Sequence, residues 1–345
     1  MTNDWRMPAE WEPHERTWMA LPTPNETFGE EGSLTLSKAR EAWSHVAQTI
    51  ARFEPVTLIT GTNQEETARA LVGPNVQIVV RPLDDAWMRD IGPTFTLRDG
   101  ELGAIDWVFN GWGAQPWATW DNDALIASDI GTQSGASLQH SKLTNEGGGF
   151  HVDGAGTVLL TDTVQLDPQR NPGWTRDEVE YEIHARLGTS HAIWLPRGLT
   201  RDYDEFGTRG HVDIVATFVR PGVVAVHHQL DPVHPDYNVT RELLEILRAS
   251  TDATGRELEV IEVPAPRVTM VENAWTDYSY INHYVGNGFV IVGTFDDPSD
   301  EEALELLARL YPDRHIEPVD GREIFAHGGG VHCITQQEPR IPATS

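Results

Sequence analysis

Short runs of β-branched and aromatic residues flank glycine turns along this chain, and between them lie longer segments with apolar positions every three or four residues. Runs of that kind on both sides of a turn predict β-hairpins, and the three-to-four spacing predicts amphipathic helices. Four hairpins are read in this way: Thr94–Ile105 around Asp99-Gly100, His151–Thr161 around Asp153-Gly154, Val212–Val226 around Pro221-Gly222, and Tyr280–Gly293 around Gly286-Asn287-Gly288. Ala39, Trp43, Val46, Ile50 and Phe53 make one helical stripe. Thr175 and Glu178 form a capping box ahead of Val179, Ile183 and Leu187, and Gly188 ends that helix. Ser299 and Glu302 predict the same device ahead of Ala303, Leu306, Leu307 and Leu310, with Pro312 as the stop. Short apolar runs follow the helices at Val56–Thr60, His191–Leu195 and Leu258–Val263. The unit is hairpin, helix, strand, repeated about five times. No Pro-, Gly- or Ser-rich linker divides the chain, so the expectation is one α/β domain over residues 1–345. Units set around an axis would leave a funnel at its centre.

Composition narrows the setting. A lone cysteine, Cys333, rules out an internal disulfide, and neither a signal segment nor a long apolar run is present. A cytoplasmic, soluble protein is expected. The formal charge of −28 argues against nucleic-acid and anionic-membrane partners, which need a positive footprint, and suits a small cationic substrate. A homo-oligomer remains compatible with it. Nine of the twelve tryptophans precede Asp121, in number enough for both core and the walls of a cation pocket.

Polar motifs sit where the hairpins begin: "DDAWMRDIGP" at 84–93, "NEGGGFHVDG" at 145–154, "GHVD" at 210–213, "YSYINHY" at 278–284 and "GGGVHCITQQ" at 328–337. In a pseudo-symmetric repeat, equivalent positions converge, bringing Asp90, Glu146, His211, Asp213 and Cys333 towards one pocket. A single cysteine is most often a buried hydrophobe. Here the glycines at 328–330 allow close backbone approach to a ligand, and histidine and carboxylates stand at matching places, which favours a nucleophile. Two His-Val-Asp triplets compete for the base. Asp153 precedes Gly154 and looks like a turn residue, whereas Asp213 runs on into an apolar strand, so His211-Asp213 is the better placed. His332 would point to the opposite strand face from Cys333. His-x-Asp twice and His227-His228 are the rival material for a metal, but no HExxH or Cys/His cluster occurs, and no Walker A loop or GxGxxG helix start calls for a nucleotide. Neither metal nor cofactor is expected.

Six segments taken together, "MPAEWEPHERTWMALP" at 7–22, "DDAWMRDIGPTF" at 84–95, "EGGGFHVDGAGTVLLT" at 146–161, "QRNP" at 169–172, "GHVD" and "GGGVHCITQQEP" at 328–339, resemble the agmatine deiminase family, related to bacterial peptidylarginine deiminases and other guanidino-modifying enzymes. The resemblance implies a five-bladed α/β-propeller, in agreement with the repeat count. It also implies hydrolysis of a guanidinium to a ureido group with release of ammonia. By the same resemblance Cys333 is the nucleophile, His211 the acid–base group, Asp90 and Asp213 the guanidinium clamps, and Glu146 the residue that orients His211. Trp87, Trp112 and Gly330 complete the expected substrate contacts. Two motifs depart from the family: "WTDYSY" at 275–280 stands for "LPASY", and "HGGGVHC" for "GGGNIHC". The paired arginines of the peptidylarginine branch are replaced by Phe109-Asn110-Gly111-Trp112-Gly113, and no positive charge lies between Arg98 and Lys142. Agmatine is therefore expected over arginine or peptidylarginine, with Trp112, Trp117 and Trp120 along its tail and Glu12, Asp204, Glu205 and Asp277 as candidate partners of its amine. An amidinotransferase is the alternative chemistry.

Overall fold

The computed structural model describes residues 5–268, 270–271 and 274–342. Five of its sheets follow one plan, an antiparallel strand pair whose second strand is joined, through a helix, to a third strand parallel to it. Thr94–Arg98 pairs with Glu101–Val108, helix Ile126–Gln133 follows, and Ser137–Thr144 completes the sheet. The second such unit is Phe150–Val152, Thr157–Thr161, helix Arg176–Leu187 and His191–Leu195. Ala216–Arg220, Val223–His228, helix Asp236–Arg248 and Glu259–Pro264 make the third. Tyr284–Gly286, Phe289–Thr294, helix Asp300–Leu310 and His315–Asp320 make the fourth. The fifth is assembled from distant parts of the sequence. Gln336–Pro339 runs antiparallel to His14–Ala20, helix Leu34–Ile50 follows, and Val56–Thr60 and then Val76–Val80 add in parallel. A two-stranded ribbon, Met270–Val271 with Ala274–Trp275, stands apart.

Local chemistry explains the helix ends. Thr175 accepts a hydrogen bond from the Glu178 N–H while the Glu178 carboxylate accepts one from the Thr175 N–H, and Gly188 closes the helix in the left-handed conformation. Ser299 behaves otherwise than expected: its backbone is already helical and its hydroxyl makes no cap. The Asp300 carboxylate instead accepts from the Phe295 and Asp297 N–H groups, so the aspartate holds the entry to this helix.

Two hairpins start later than the sequence pattern suggests. Val212–Ile214 forms a single 3-10 turn and the strand begins at Ala216, so Asp213 does not lie inside a strand. The cause is Asp202, whose carboxylate accepts from the Gly210 and His211 N–H groups and bends the chain there, with Gly210 at φ 113°. Likewise Tyr280–His283 turns before the strand at Tyr284. A short turn ahead of the first strand recurs in every unit: Met88–Ile91, Gly147–Gly149, Val212–Ile214, residues 280–282 and residues 331–334. These turns carry the polar motifs.

Around this frame the apolar side chains form three clusters. The largest joins Phe28, Trp43 and Trp87, which meet at ring-centroid distances of 5.3–6.2 Å, to the first sheet, to Trp112 and to Cys333. The wall behind the cysteine is thus a packed aromatic core, and truncating Trp43 there should cost about 3–5 kcal/mol.

Candidate active site

Each of the five turns brings a polar side chain to one place. Asp90 comes from the turn Met88–Ile91, Glu146 from the residue before Gly147–Gly149, His211 and Asp213 from Val212–Ile214, Asn282 from 280–282, and Cys333 from 331–334. The Cys333 sulfur lies 3.5 Å from Asp213 Oδ2 and receives the Asn282 Nδ2–H at 3.2 Å and the Gly330 N–H at 3.5 Å. A Cβ on Gly330 would stand 2.3 Å from Asn282 Oδ1, so only glycine permits this approach. Burial, followed by the negative charges of Asp213 and Asp90, pushes the thiol well above its usual pKa.

Across from the sulfur, Asp90 accepts from Trp112 Nε1 at 2.9 Å and from the Gly148 N–H at 3.0 Å. Burial drives its carboxyl up to about 6; Asp213 and Glu146 add to the rise, and His211 works against it. His211 Nε2 is 3.3 Å from Glu146, and its Nδ1 is 3.9 Å from Asp90. Burial disfavours charge on this imidazole, but Asp90, Glu146 and Asp213 together outweigh it and raise its pKa to about 9. Arg170, fully buried, donates to both oxygens of Glu146 at 2.9 and 3.1 Å and keeps that carboxylate ionised despite burial. Two buried atoms of this group have no partner: His211 Nδ1 and Asp213 Oδ1. Buried polar atoms are rarely left without a partner.

The thiol and Asp90 open into a cavity lined by Trp87, Trp112, Trp117, Phe206, Thr208 and Gly328. Neither lysine nor arginine is among its lining residues. Trp112 and Trp117 stack at 5.3 Å, and Phe206 meets Trp117 edge-on at 5.4 Å. Trp120 does not line this cavity; it packs beside Gly111, where an added Cβ would fall 2.4 Å from its ring. Of the acids considered for a substrate tail, Glu12 is taken up by Arg6 and the Ala9 N–H. Asp277 is buried with one oxygen unpartnered, and burial holds its carboxyl up at about 7. Asp204 and Glu205 are exposed, immediately before Phe206.

Sequence reasoning missed Asn282, His332 and Glu10. His332 was expected on the far face of a strand, but residues 331–334 turn, and its imidazole instead meets Asp213 Oδ2 at 2.7 Å and Glu10 Oε1 at 2.6 Å. In the other triplet the two side chains go to different partners, and only the turn role of Asp153 follows the sequence reading. Asp153 accepts from the Ala155 and Thr157 N–H groups as a turn residue, and His151 is engaged by Thr217 and the Phe218 N–H away from the sulfur.

The model of the Porphyromonas-type peptidyl-arginine deiminase family matches residues 6–339. A Streptomyces coelicolor protein that carries the provisional name agmatine deiminase is 61% identical over 337 residues, covering 97% of this chain and 99% of its own. The agmatine deiminase of a Pseudomonas aeruginosa strain is 39% identical over 358 aligned residues, 97% of this chain and 95% of its own. The solved structure of the agmatine deiminase of Enterococcus faecalis superposes with a TM-score of 0.92 at 32% identity, covering 98% of this chain and 97% of that one. With the match running almost end to end, the chain belongs to the Porphyromonas-type peptidyl-arginine deiminase family.

Proposed function

We propose that this chain is an agmatine deiminase, converting the guanidinium of agmatine to the ureido group of N-carbamoylputrescine with release of ammonia. The observation that carries the reading is the buried thiol of Cys333 set between Asp90 and Asp213, with Asp213 Oδ1 and His211 Nδ1 still unpartnered, at the base of a tryptophan-walled cavity whose lining includes no lysine or arginine. A planar guanidinium presents paired N–H donors, which two carboxylates accept in fixed geometry. The names of the relatives point to the same substrate.

In this reading Cys333 is the nucleophile, and the substrate itself makes it reactive. Two carboxylates raise the thiol pKa, and the arriving cation offsets them. Opposite charges about 4 Å apart gain roughly 4 kcal/mol at an effective dielectric near 20, equivalent to about three pKa units. The thiol loses its proton to solvent, the thiolate adds to the guanidinium carbon, and protonated His211 gives its proton to the departing nitrogen. Ammonia leaves and an S-alkylthiouronium remains on Cys333. Neutral His211 then takes a proton from water as hydroxide adds to the same carbon. Collapse expels the sulfur, the proton returns to it or to solvent, and the neutral ureido product no longer carries the charge that bound it. Glu146, anchored by Arg170, orients His211; Trp87, Trp112 and the Gly330 backbone frame the guanidinium. We further propose that the five units surround one axis in a single domain, a five-bladed propeller. Pairing of the last strand with the first, and one site side chain from each unit, support that arrangement.

Steady-state kcat/KM for agmatine, arginine and a short peptide ending in arginine tests the substrate. Agmatine should lead by at least about tenfold, because an α-carboxylate entering this acidic cavity would be uncompensated. Parity or preference for either rival removes the agmatine assignment. Cys333→Ala should abolish turnover with an unchanged circular dichroism spectrum, and retained activity would end the covalent mechanism.

A further inference from the structure

Behind the carboxylate that faces the thiol lies a buried charge relay that begins at the other end of the sequence. His332 Nδ1 is 2.7 Å from Asp213 Oδ2, and His332 Nε2 is 2.6 Å from Glu10 Oε1. All three side chains are at most 4% exposed. Glu10 also approaches Arg89 at 3.4 Å and His151 Nε2 at 3.6 Å. A neutral imidazole has one N–H and can donate to only one of two carboxylates; the other contact would set a nitrogen lone pair against an oxygen. Two such short contacts therefore need an imidazolium with both nitrogens protonated.

We propose that His332, held charged by Glu10, is a positioning residue that keeps Asp213 ionised and pins its Oδ2 beside the thiol, leaving Oδ1 for the substrate. This rests on the reading of Asp213 as a guanidinium clamp. Asp213 Oδ2 is occupied by His332, which leaves Oδ1, the unpartnered atom, to receive the substrate. The same residue reaches the thiol by a second route. The His332 backbone N–H donates to Asn282 Oδ1 at 2.9 Å, which fixes the amide so that its Nδ2–H faces the sulfur at 3.2 Å. The charged and titratable groups around Asp213 are His332, His211, Cys333, Arg89 and Asp90; those around His332 are Asp213, Glu10, Arg89, His151 and His283. Against burial, the hydrogen bond and charge of His332 lower the Asp213 pKa, and the two carboxylates raise that of His332.

Glu10, His151 and His332 also come close enough to suggest a metal site. His151 argues against it. Its Nδ1 accepts the Phe218 N–H, so the neutral ring carries its proton on Nε2, the atom that would have to bind the ion. Arg89, adjacent to Glu10, already supplies a positive charge.

Two measurements test the relay. Nitrogen-15 spectra of histidine-labelled protein should show a ring with both nitrogens protonated at neutral pH that disappears in His332→Gln. Then the acid limb of kcat/KM for agmatine should move up in His332→Gln and steepen, because a second carboxylate must now ionise. An opposite charge at this distance lowers an aspartate by roughly 1–3 units, so Asp213 itself should rise by that much on its loss and add a second ionisation to the limb set by Asp90. Glu10→Gln should shift the limb the same way by less. A His332 ring with one unprotonated nitrogen overturns the proposal, as does a loss of activity by the same factor at every pH with the limb unmoved. If His332→Gln does not fold, Glu10→Gln and the spectrum of the unsubstituted protein decide. Failure of the unsubstituted protein to turn over agmatine would remove the functional reading, while the spectrum would still decide the charge on His332.

Discussion

Asp90 and His211 are both driven upwards from the pH at which they would otherwise titrate, and for different reasons. Burial holds Asp90 near 6, so its anion is lost as pH falls through that value; the surrounding carboxylates hold His211 near 9, so its proton is kept until pH rises through that value. The clamp must be ionised and the acid protonated, which predicts a bell-shaped kcat/KM with limbs near these two values. Trp112 provides a control. Its Nε1–H donates to Asp90 and favours the anion, so Trp112→Phe should move the acid limb upwards and leave the basic limb in place. A profile whose basic limb moved instead would show that the assignment of the two groups is reversed.

At the scale of elements, most of the exposed work is local and most of the site is not. The Thr175 cap satisfies the Glu178 N–H at the surface, far from the sulfur, so Thr175→Ala should lower unfolding stability by about 1 kcal/mol and leave kcat/KM unchanged. Denaturant melts alongside steady-state rates would check both halves. Legibility divides along the same line. Helix Arg176–Leu187 and the hairpins at Asp99-Gly100 and Pro221-Gly222 could be read because caps, turn glycines and apolar spacing lie within a few residues of one another. The short turns that present the polar side chains could not. What bends residues 210–214 is the carboxylate of Asp202, a partner outside the motif itself, and a strand-like pattern hides the bend. Asn282 stood in a segment recognised as a hairpin start, but an asparagine there reads as a turn former until its amide is seen facing the sulfur. Glu10 is beyond any local signal, because its partner His332 lies 322 residues away in sequence.

For the whole molecule, no unit owns the chemistry. Asp90, Glu146, the His211–Asp213 pair and the thiol arrive from four different units, and their contacts bind the units together: His211 to Glu146, Asp213 to His332, Asn282 to Cys333, Arg89 to Gln337. Site geometry and global packing are therefore one network. Such buried polar contacts fix a unique arrangement more than they add net stability.

The strand Gln336–Pro339, which lies against His14–Ala20, has a consequence in time. Trp18 donates to Glu338 across 320 residues of sequence, so this sheet closes the longest loop in the fold. Bringing ends that far apart together costs on the order of 5 kcal/mol in chain entropy, and contacts of such separation form late. The cysteine turn immediately precedes that strand and should lock with it. In refolding from denaturant, helical signal should therefore return first and turnover should follow in the slowest phase; recovery of both together would show that the loop closes early. A partly folded molecule would then carry helices and hairpins but no working thiol, so ammonia release would serve as a clock for the last step of folding.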